Sequence, residues 1–430
     1  MTDAAELAEK KSGESLRLAY MYHPRSFPTL SLVEAARGVC DLLWVVDSSN
    51  GDVSSMSKLL RRLGTVIDTT GLSLDASAEL IHDSRPDGIL SSADGLLERT
   101  AEIAQRLSLP FLSTDSARLL TDKLAQRGAL QDVGIEIPLV FLVTAQQGDD
   151  EIEAVIGRST FPSVLKPRHG ESSRDTYFVE SGEKLRQYVR DLREARTGPG
   201  DEYVLESFIL EEEEGIAGVG FAGYVSVESV VSHDVVSHVA VTGRTPVAKP
   251  FRETSAFIPS ELTDRDQGLV MELASRAIRA LRISIGCVHT EIKLTPDGPR
   301  VIEVNGRIGG HIPDTLAAST GIHILPIAMR IALGENIVFE TLPETTKLGY
   351  VLHYYAPEGA TSIARVSGLE TLRERSGVDT VILNRGPGQR VDWREGSFGH
   401  VFAVRGTLKD HDDLRRLLDF IATTVRIESD

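Results

Sequence analysis

The chain has 430 residues, 41% of them hydrophobic and 25% charged, an ordinary balance for a globular protein with room for about two to four packed units. Forty-six basic against 63 acidic side chains leave a net charge of −17, which argues against nucleic acid or an anionic membrane surface as the main partner. The two cysteines, Cys40 and Cys287, stand far apart in apolar surroundings, so neither a disulfide framework nor a structural zinc site is expected, and a reducing cytoplasm fits. No apolar run reaches transmembrane length. Residues 1–15 are polar with mixed charge and read as a disordered lead-in rather than a signal peptide.

Apolar runs at 16–21, 42–46, 65–68 and 88–90 predict short strands, and the periodic segments 30–38, 53–63, 74–84 and 96–107 predict helices. This alternation implies βαβ units and a parallel sheet, with a last strand at 109–112 and a first boundary near residue 115. Beyond it, 116–133 reads as one helix, 137–143 as a strand and 148–156 as a short helix. Strands at 163–167 and 177–179 and a helix at 181–195 complete a small unit over 116–200. A larger unit, 201–345, holds a strand at 202–210, a long alternating β stretch at 219–245 and an amphipathic helix at 264–282. A hairpin follows, then a helix at 315–333 that Gly334 stops. From 346 to 430 the chain is β-rich, with a turn at Gly386-Pro387-Gly388 and a closing helix at 411–427.

The hairpin carries the densest chemistry. It runs from His289 to Gly310 around a turn at Pro296-Asp297-Gly298. Residues an even number apart on a strand share a face, so Glu303, Asn305 and Arg307 are expected on one side if the strand stays regular. Glu291 joins them if the pairing register allows. Two carboxylates and an amide oxygen form a hard, oxygen-only donor set suited to Mg²⁺. The adjacent arginine suits a phosphate or carboxylate. Strands with alternating polar residues are commonly just half-solvated. Here, however, Asn305 is a poor strand former inside an apolar run, and the glycines at 306, 309 and 310 permit close approach of a ligand.

Matching parts lie upstream. Lys123 follows Asp122, and Lys166 ends an apolar strand before the loop Gly170-Glu171-Ser172-Ser173-Arg174. A lysine supplies point charge and a Gly/Ser loop supplies backbone N–H groups, an arrangement suited to phosphate, although a lone lysine beside a loop is usually a surface feature. The Gly-Lys-Ser/Thr ending of a Walker A loop is absent, and no strand-flanked G-x-G-x-x-G occurs in the first unit. The run Tyr203-Val-Leu-Glu206-Ser207-Phe-Ile209 leads into Glu211–Glu214, where a hinge backbone can read a base and a carboxylate can accept from ribose hydroxyls.

In this order the parts resemble the ATP-grasp superfamily of carboxylate–amine ligases, and within it the L-amino-acid (dipeptide) ligases. The resemblance spans roughly residues 16–430; the narrower likeness rests on the segment 298–310 and the extra C-terminal unit. It implies an α/β protein in which an ATP-grasp fold follows a Rossmann-like parallel-sheet domain and precedes a smaller β-rich α+β domain. It further implies that Lys123, Lys166 and the cover loop with Ser172 and Ser173 contact ATP phosphates. Glu206, Ser207 and Ile209 would sit at the adenine hinge, and Glu213 or Glu214 at the ribose. Glu291, Glu303 and Asn305 would hold two Mg²⁺ ions, for which Mn²⁺ can substitute. Arg307, with Lys166, would serve catalysis at the carboxylate or its acyl phosphate, and Gly309 and Gly310 would donate N–H groups there. Arg252 and Glu253 are expected to face a small-molecule carboxylate or amine substrate. The resemblance allows a homodimer. A carboxylase-like or purine-biosynthetic enzyme using bicarbonate or a ribonucleotide is the alternative; a nucleotide-sensing module without turnover fits less well with so complete a set of polar residues.

Overall fold

The computed structural model of the chain describes residues 15–49, 51–194, 202–210 and 220–430. Residues 1–14 of the expected 1–15 lead-in and the acidic run at 211–214 lie outside the described residues.

Four short strands, β1 (Arg17–Met21), β2 (Asp41–Val46), β3 (Thr65–Asp68) and β4 (Gly88–Ser91), form a parallel sheet in the order β3-β2-β1-β4. Their near-continuous apolar character is what a sheet covered on both faces requires. One face buries Ala19, Met21, Leu43 and Val45 against helices Leu74–Asp83 and Leu97–Leu107. The other face buries Leu18, Tyr20 and Trp44 in a core shared with helices Ile312–Thr320 and Ile324–Ala332 from far along the chain. Gly88 marks the contact: a Cβ there would lie 2.2 Å from the Ala332 carbonyl oxygen, so only glycine lets the two backbones meet. The strand expected at 109–112 is absent. Pro110 cannot donate to a ladder, and Leu112 instead packs into the core beneath the central sheet.

The helix expected over 116–133 is two helices, Thr114–Thr121 and Lys123–Asp132. Asp122 leaves the helical region (φ −106°, ψ 102°), and its carboxylate accepts from the N–H groups of Leu124 and Ala125 as an N-cap. Next comes an antiparallel sheet of β5 (Val140–Thr144), β6 (Ser163–Pro167), β7 (Tyr177–Val179) and β8 (Glu202–Ser207) in the order β5-β8-β6-β7. It has its own core of Val143, Ile152, Leu165, Val189 and Leu205.

The central antiparallel sheet has the order β10-β9-β12-β13. It comprises β9 (Tyr224–Ser232), β10 (Val235–Thr242), β12 (Gly286–Lys293) and β13 (Arg300–Asn305), with helix Asp264–Ala280 on one face. The intervening strand β11 (Ser255–Ile258) leaves it and joins the C-terminal sheet, whose order is β11-β14-β17-β16. That sheet adds β14 (Leu348–Tyr354), β16 (Thr380–Leu383) and β17 (Phe402–Leu408); β15 (Ile363–Ser367) pairs separately with β18 (Arg426–Ser429). A strand that the sequence reading did not mark, within the segment assigned to the larger unit, thus builds the C-terminal sheet, so no clean cut falls at residue 346. The helix expected over 315–333 breaks at Gly321, which takes φ +77° as a left-handed C-cap. Among the described residues no single helix is long and apolar enough to cross a membrane; the bent pair around Gly321 is apolar because it is core.

Candidate active site

β12 and β13 pair with Glu291 directly opposite Glu303 and His289 opposite Asn305. The four side chains therefore share one face, at the floor of a cavity of about 1010 Å³. Opposed carboxylates repel, so the pair requires cations around it. Lys123 Nζ supplies one, 3.0 Å from Glu303 Oε1. His289 supplies another: its Nε2 is 3.5 Å from Glu291 Oε1, and its Nδ1 is 2.8 Å from the buried carboxylate of Glu228. Burial pulls the His289 imidazole down, but Glu228 and Glu291 outweigh it and raise it to about 9. Burial pushes Glu291 up, and His289, Arg244 and Arg307 together hold it at about 2. Glu291 is thus a carboxylate at neutral pH.

Among the described residues no three His, Cys, Asp or Glu side chains gather where they could hold a metal ion by themselves. Two carboxylates and an amide are an open set, and Mg²⁺ favours that arrangement because it keeps waters and phosphate oxygens in its shell. The residues fit.

Glu206 on β8 is almost fully buried, and its two oxygens are held by Arg127 (Nε at 2.9 Å, Nη2 at 3.0 Å) and by Lys166 Nζ at 2.9 Å. Burial raises this carboxyl, and the two cations overcome it, bringing it to about 2. Arg127 also donates to the carbonyls of Val301 and Ile302, tying the helix, the β5–β8 sheet and β13 together. The sequence reading missed Arg127. Its signal was the spacing from Lys123, one helical turn away on the same face. Ser207 Oγ accepts from Leu139 N–H at 3.0 Å; Ser207 and Ile209 both line the cavity.

Arg307 lines the cavity below β13 and is clamped by Asp94, with Nε and Nη2 each 2.8 Å from Oδ2. Asp94 lies just past β4, at the carboxyl end of the parallel sheet, where open α/β sheets place ligand-contacting groups. The glycines after Asn305 do not take up the unusual backbone angles open to glycine. None of Gly306, Gly309 or Gly310 has positive φ; a Cβ on Gly306 would meet Leu120 at 2.6 Å, and one on Gly309 would meet His289 at 2.7 Å. Those two glycines make room for protein packing, while Gly310 lines the cavity.

Arg252 departs from expectation. It does not line the cavity; its guanidinium lies 4.5 Å above the Tyr355 ring and its Nε donates to Lys249 O. Glu253 does line the cavity and pairs with Arg244, whose Nη1 is 3.4 Å away. Arg244 is almost wholly buried, donates to Ser226 Oγ and Ser255 O, and leaves its Nε without a partner among the described residues. Ser172 and Ser173 line the cavity from the cover loop, both in left-handed backbone (φ +56°). Lys123 Nζ reaches this loop too, 2.6 Å from Gly170 O. Glu213 and Glu214 lie outside the described residues.

Residues 159–314 match the ATP-grasp domain family. Carnosine synthase 1 of Homo sapiens is 26% identical over 273 residues, covering 60% of this chain and 32% of that protein. Alanine–anticapsin ligase of Bacillus subtilis is 24% identical over 217 residues, covering 48% of this chain and 45% of that one. The chain spans about a third to a half of the length of these curated relatives. Among solved structures, an L-amino acid ligase from Bacillus licheniformis superposes with a TM-score of 0.73 at 18% identity, over 97% of this chain and 99% of that one. N5-carboxyaminoimidazole ribonucleotide synthetase from Thermotoga maritima gives 0.67 at 14% identity, over 96% of this chain and 100% of that one. The chain carries an ATP-grasp domain, set in a fold it shares along nearly its whole length with an L-amino acid ligase.

Proposed function

We propose that the protein is an ADP-forming ligase that joins an amino-acid carboxylate to an amine, the amine most simply that of a second amino acid. A carboxylate oxygen is a poor leaving group. Transfer of the γ-phosphoryl of ATP to that oxygen gives an acyl phosphate and ADP; the amine then attacks the acyl carbon and phosphate departs. The first step brings anions together, so cations must face them. Lys123 and Lys166 supply charge from the nucleotide side. Arg307, fixed by Asp94, supplies it at the carboxylate. Mg²⁺ held by Glu291, Glu303 and Asn305 would neutralise phosphate charge, an effect worth several kcal/mol. Holding carboxylate, phosphoryl group and amine together adds roughly 7–11 kcal/mol.

One observation favours an amino acid over bicarbonate or a ribonucleotide. The cavity wall presents a cation and an anion side by side, Arg244 and Glu253. That pairing matches the carboxylate and ammonium of an α-amino acid, and supports Arg244 in the role expected of Arg252. The fold likeness to a ribonucleotide synthetase keeps a second reading open to test. Phosphate release is to be measured with MgATP and paired amino acids, and in parallel with bicarbonate and with aminoimidazole ribonucleotide. Release of ADP and phosphate that needs both amino acids is the expected result. Pyrophosphate release, or turnover only with bicarbonate or the ribonucleotide, overturns the reading.

A further inference from the structure

The segment Trp393–Gly399 of the C-terminal unit lies outside the residues that match the ATP-grasp family, yet several separate parts of the site converge on it. Its first contact is with the cover loop between β6 and β7. Ser397 N–H donates to Ser172 O at 2.9 Å, and Asp175 N–H donates to Arg394 O at 3.2 Å. The Trp393 ring stands edge-on to Tyr177 of β7, centroids 5.4 Å apart. Its second contact is with the segment leading into β11 that carries Glu253: Ser397 Oγ accepts from Glu253 N–H at 3.1 Å. Tyr355 closes the same knot, its hydroxyl 2.7 Å from Glu253 O and 3.2 Å from Ser397 O. The third contact is with the N-terminal unit, where the Arg25 guanidinium lies 5.5 Å from the centre of the Phe398 ring.

Gly396 is the pivot. It takes φ +62°, and a Cβ there would fall 2.1 Å from Ser172 O and 2.8 Å from Arg174 N. Both atoms are backbone, so no side-chain rotation relieves the overlap. The approach of the two loops therefore depends on glycine at this position. The partner loop is itself built for the docked form: Ser172, Ser173 and Asp175 all have positive φ, a conformation that costs non-glycine residues and persists only when the surroundings impose it.

We infer that Gly396 and Ser397 are positioning residues that latch the Gly170–Asp175 loop shut over the cavity while holding Glu253 in place at its wall. The inference rests on the ligase reading for its consequence. An acyl phosphate exposed to water is hydrolysed: water attacks the acyl carbon, the C–O bond to phosphate breaks, and carboxylate and phosphate are released without amide. A latch that joins the cover to Glu253 makes closure and amine placement one event. Water is then excluded at the moment the amine is in position.

The test compares the wild-type chain with Gly396→Val and Trp393→Ala. Two quantities are read: amide formed per phosphate released, and hydrogen exchange of the 170–177 peptide with and without MgADP. In the wild type the ratio should be near one and exchange slow in MgADP. In either variant the ratio should fall below about one half and exchange in 170–177 should quicken about tenfold. A merely structural role would lower amide and phosphate together and leave their ratio unchanged; that result, or unaltered exchange in 170–177, overturns the latch. If Gly396→Val fails to fold, Trp393→Ala carries the test, because its half-buried ring can be removed without a backbone clash. If the wild type makes no amide from any pair, the ligase reading fails, and exchange with MgADP still decides whether the segment holds the loop.

Discussion

Lys123 Nζ sits 3.0 Å from Glu303 Oε1, so a residue that opens a helix 180 positions earlier neutralises one of the two opposed hairpin carboxylates. Charge balance at the hairpin is therefore supplied from outside it. Glu303→Gln keeps the shape but removes the charge that Lys123 faces and that, under the proposed function, a divalent cation would share. Phosphate release with MgATP is expected to fall at least about 100-fold, with the unfolding midpoint little changed. A fully active Glu303→Gln enzyme would show that the opposed pair does not hold the metal.

Glu206 gives the stability counterpart. It is a buried carboxylate between Arg127 and Lys166, and removing it strands two cations. Glu206→Ala is expected to cost about 3–5 kcal/mol in urea unfolding. The pH dependence has a definite sign. The folded pKa, about 2, lies below the usual carboxylate value. The stabilisation is therefore fully present above the unfolded pKa of about 4.3. It is lost as the pH falls through the folded value. Wild type should lose stability over that range more steeply than Glu206→Ala; parallel curves would refute the assignment.

The reading of Arg244 and Arg252 is separable by kinetics. Arg244→Ala is expected to lower kcat/KM for the amino-acid substrate by about 100-fold, or about 2.7 kcal/mol of transition-state stabilisation. Arg252→Ala loses the stack on Tyr355 and the Nε–H bond to Lys249 O, together worth about 1–3 kcal/mol of stability, with a change in kcat/KM under about threefold. Reversal of that order would restore Arg252 to the site.

What the sequence made legible follows from where each signal is local. The parallel sheet was readable because each strand and helix carries its own period. The facing of Glu291 and Glu303 was only conditional, because register depends on a bulge between Glu291 and Ile292 that no residue pattern announces. The break at Asp122 was missed because the apolar period continues across it, although an Asp ahead of a helix is a capping signal. Arg127, Asp94 and Arg244 were missed for a different reason. Each acts on a partner distant in sequence, and a single arginine carries no mark of what it will face. Arg252 and Glu253 were expected together from the place of their segment in the resemblance, but only Glu253 lines the cavity, and Arg252 turns to the Tyr355 ring.

His353 offers a test of an unsatisfied group. Its ring is buried between His311 (centroids 4.2 Å apart) and His400 (4.6 Å), and neither ring nitrogen has a hydrogen-bond partner among the described residues. Burial, with His311 and His400 beside it, holds the imidazole well below its usual value, so it is neutral at pH 7. An apolar side chain of similar size removes the unmet polar atoms. His353→Leu is expected to leave stability unchanged or raise it by about 1–2 kcal/mol in thermal unfolding. A loss of more than about 2 kcal/mol would mean that the imidazole has a partner such as an ordered water.

The meeting of Gly88 with the Ala332 carbonyl sets a limit on recombination. A chimera that exchanged the first 110 residues for those of another protein would need glycine at that one position, or two backbones would collide across a shared core. The β5–β8 sheet has its own apolar core but carries a comparable condition, since its β6–β7 loop meets Gly396 backbone to backbone and Glu206 on β8 holds Arg127. Exchange of either unit should therefore succeed only where its glycine contact is kept, Gly88 for the parallel sheet and Gly396 for the cover.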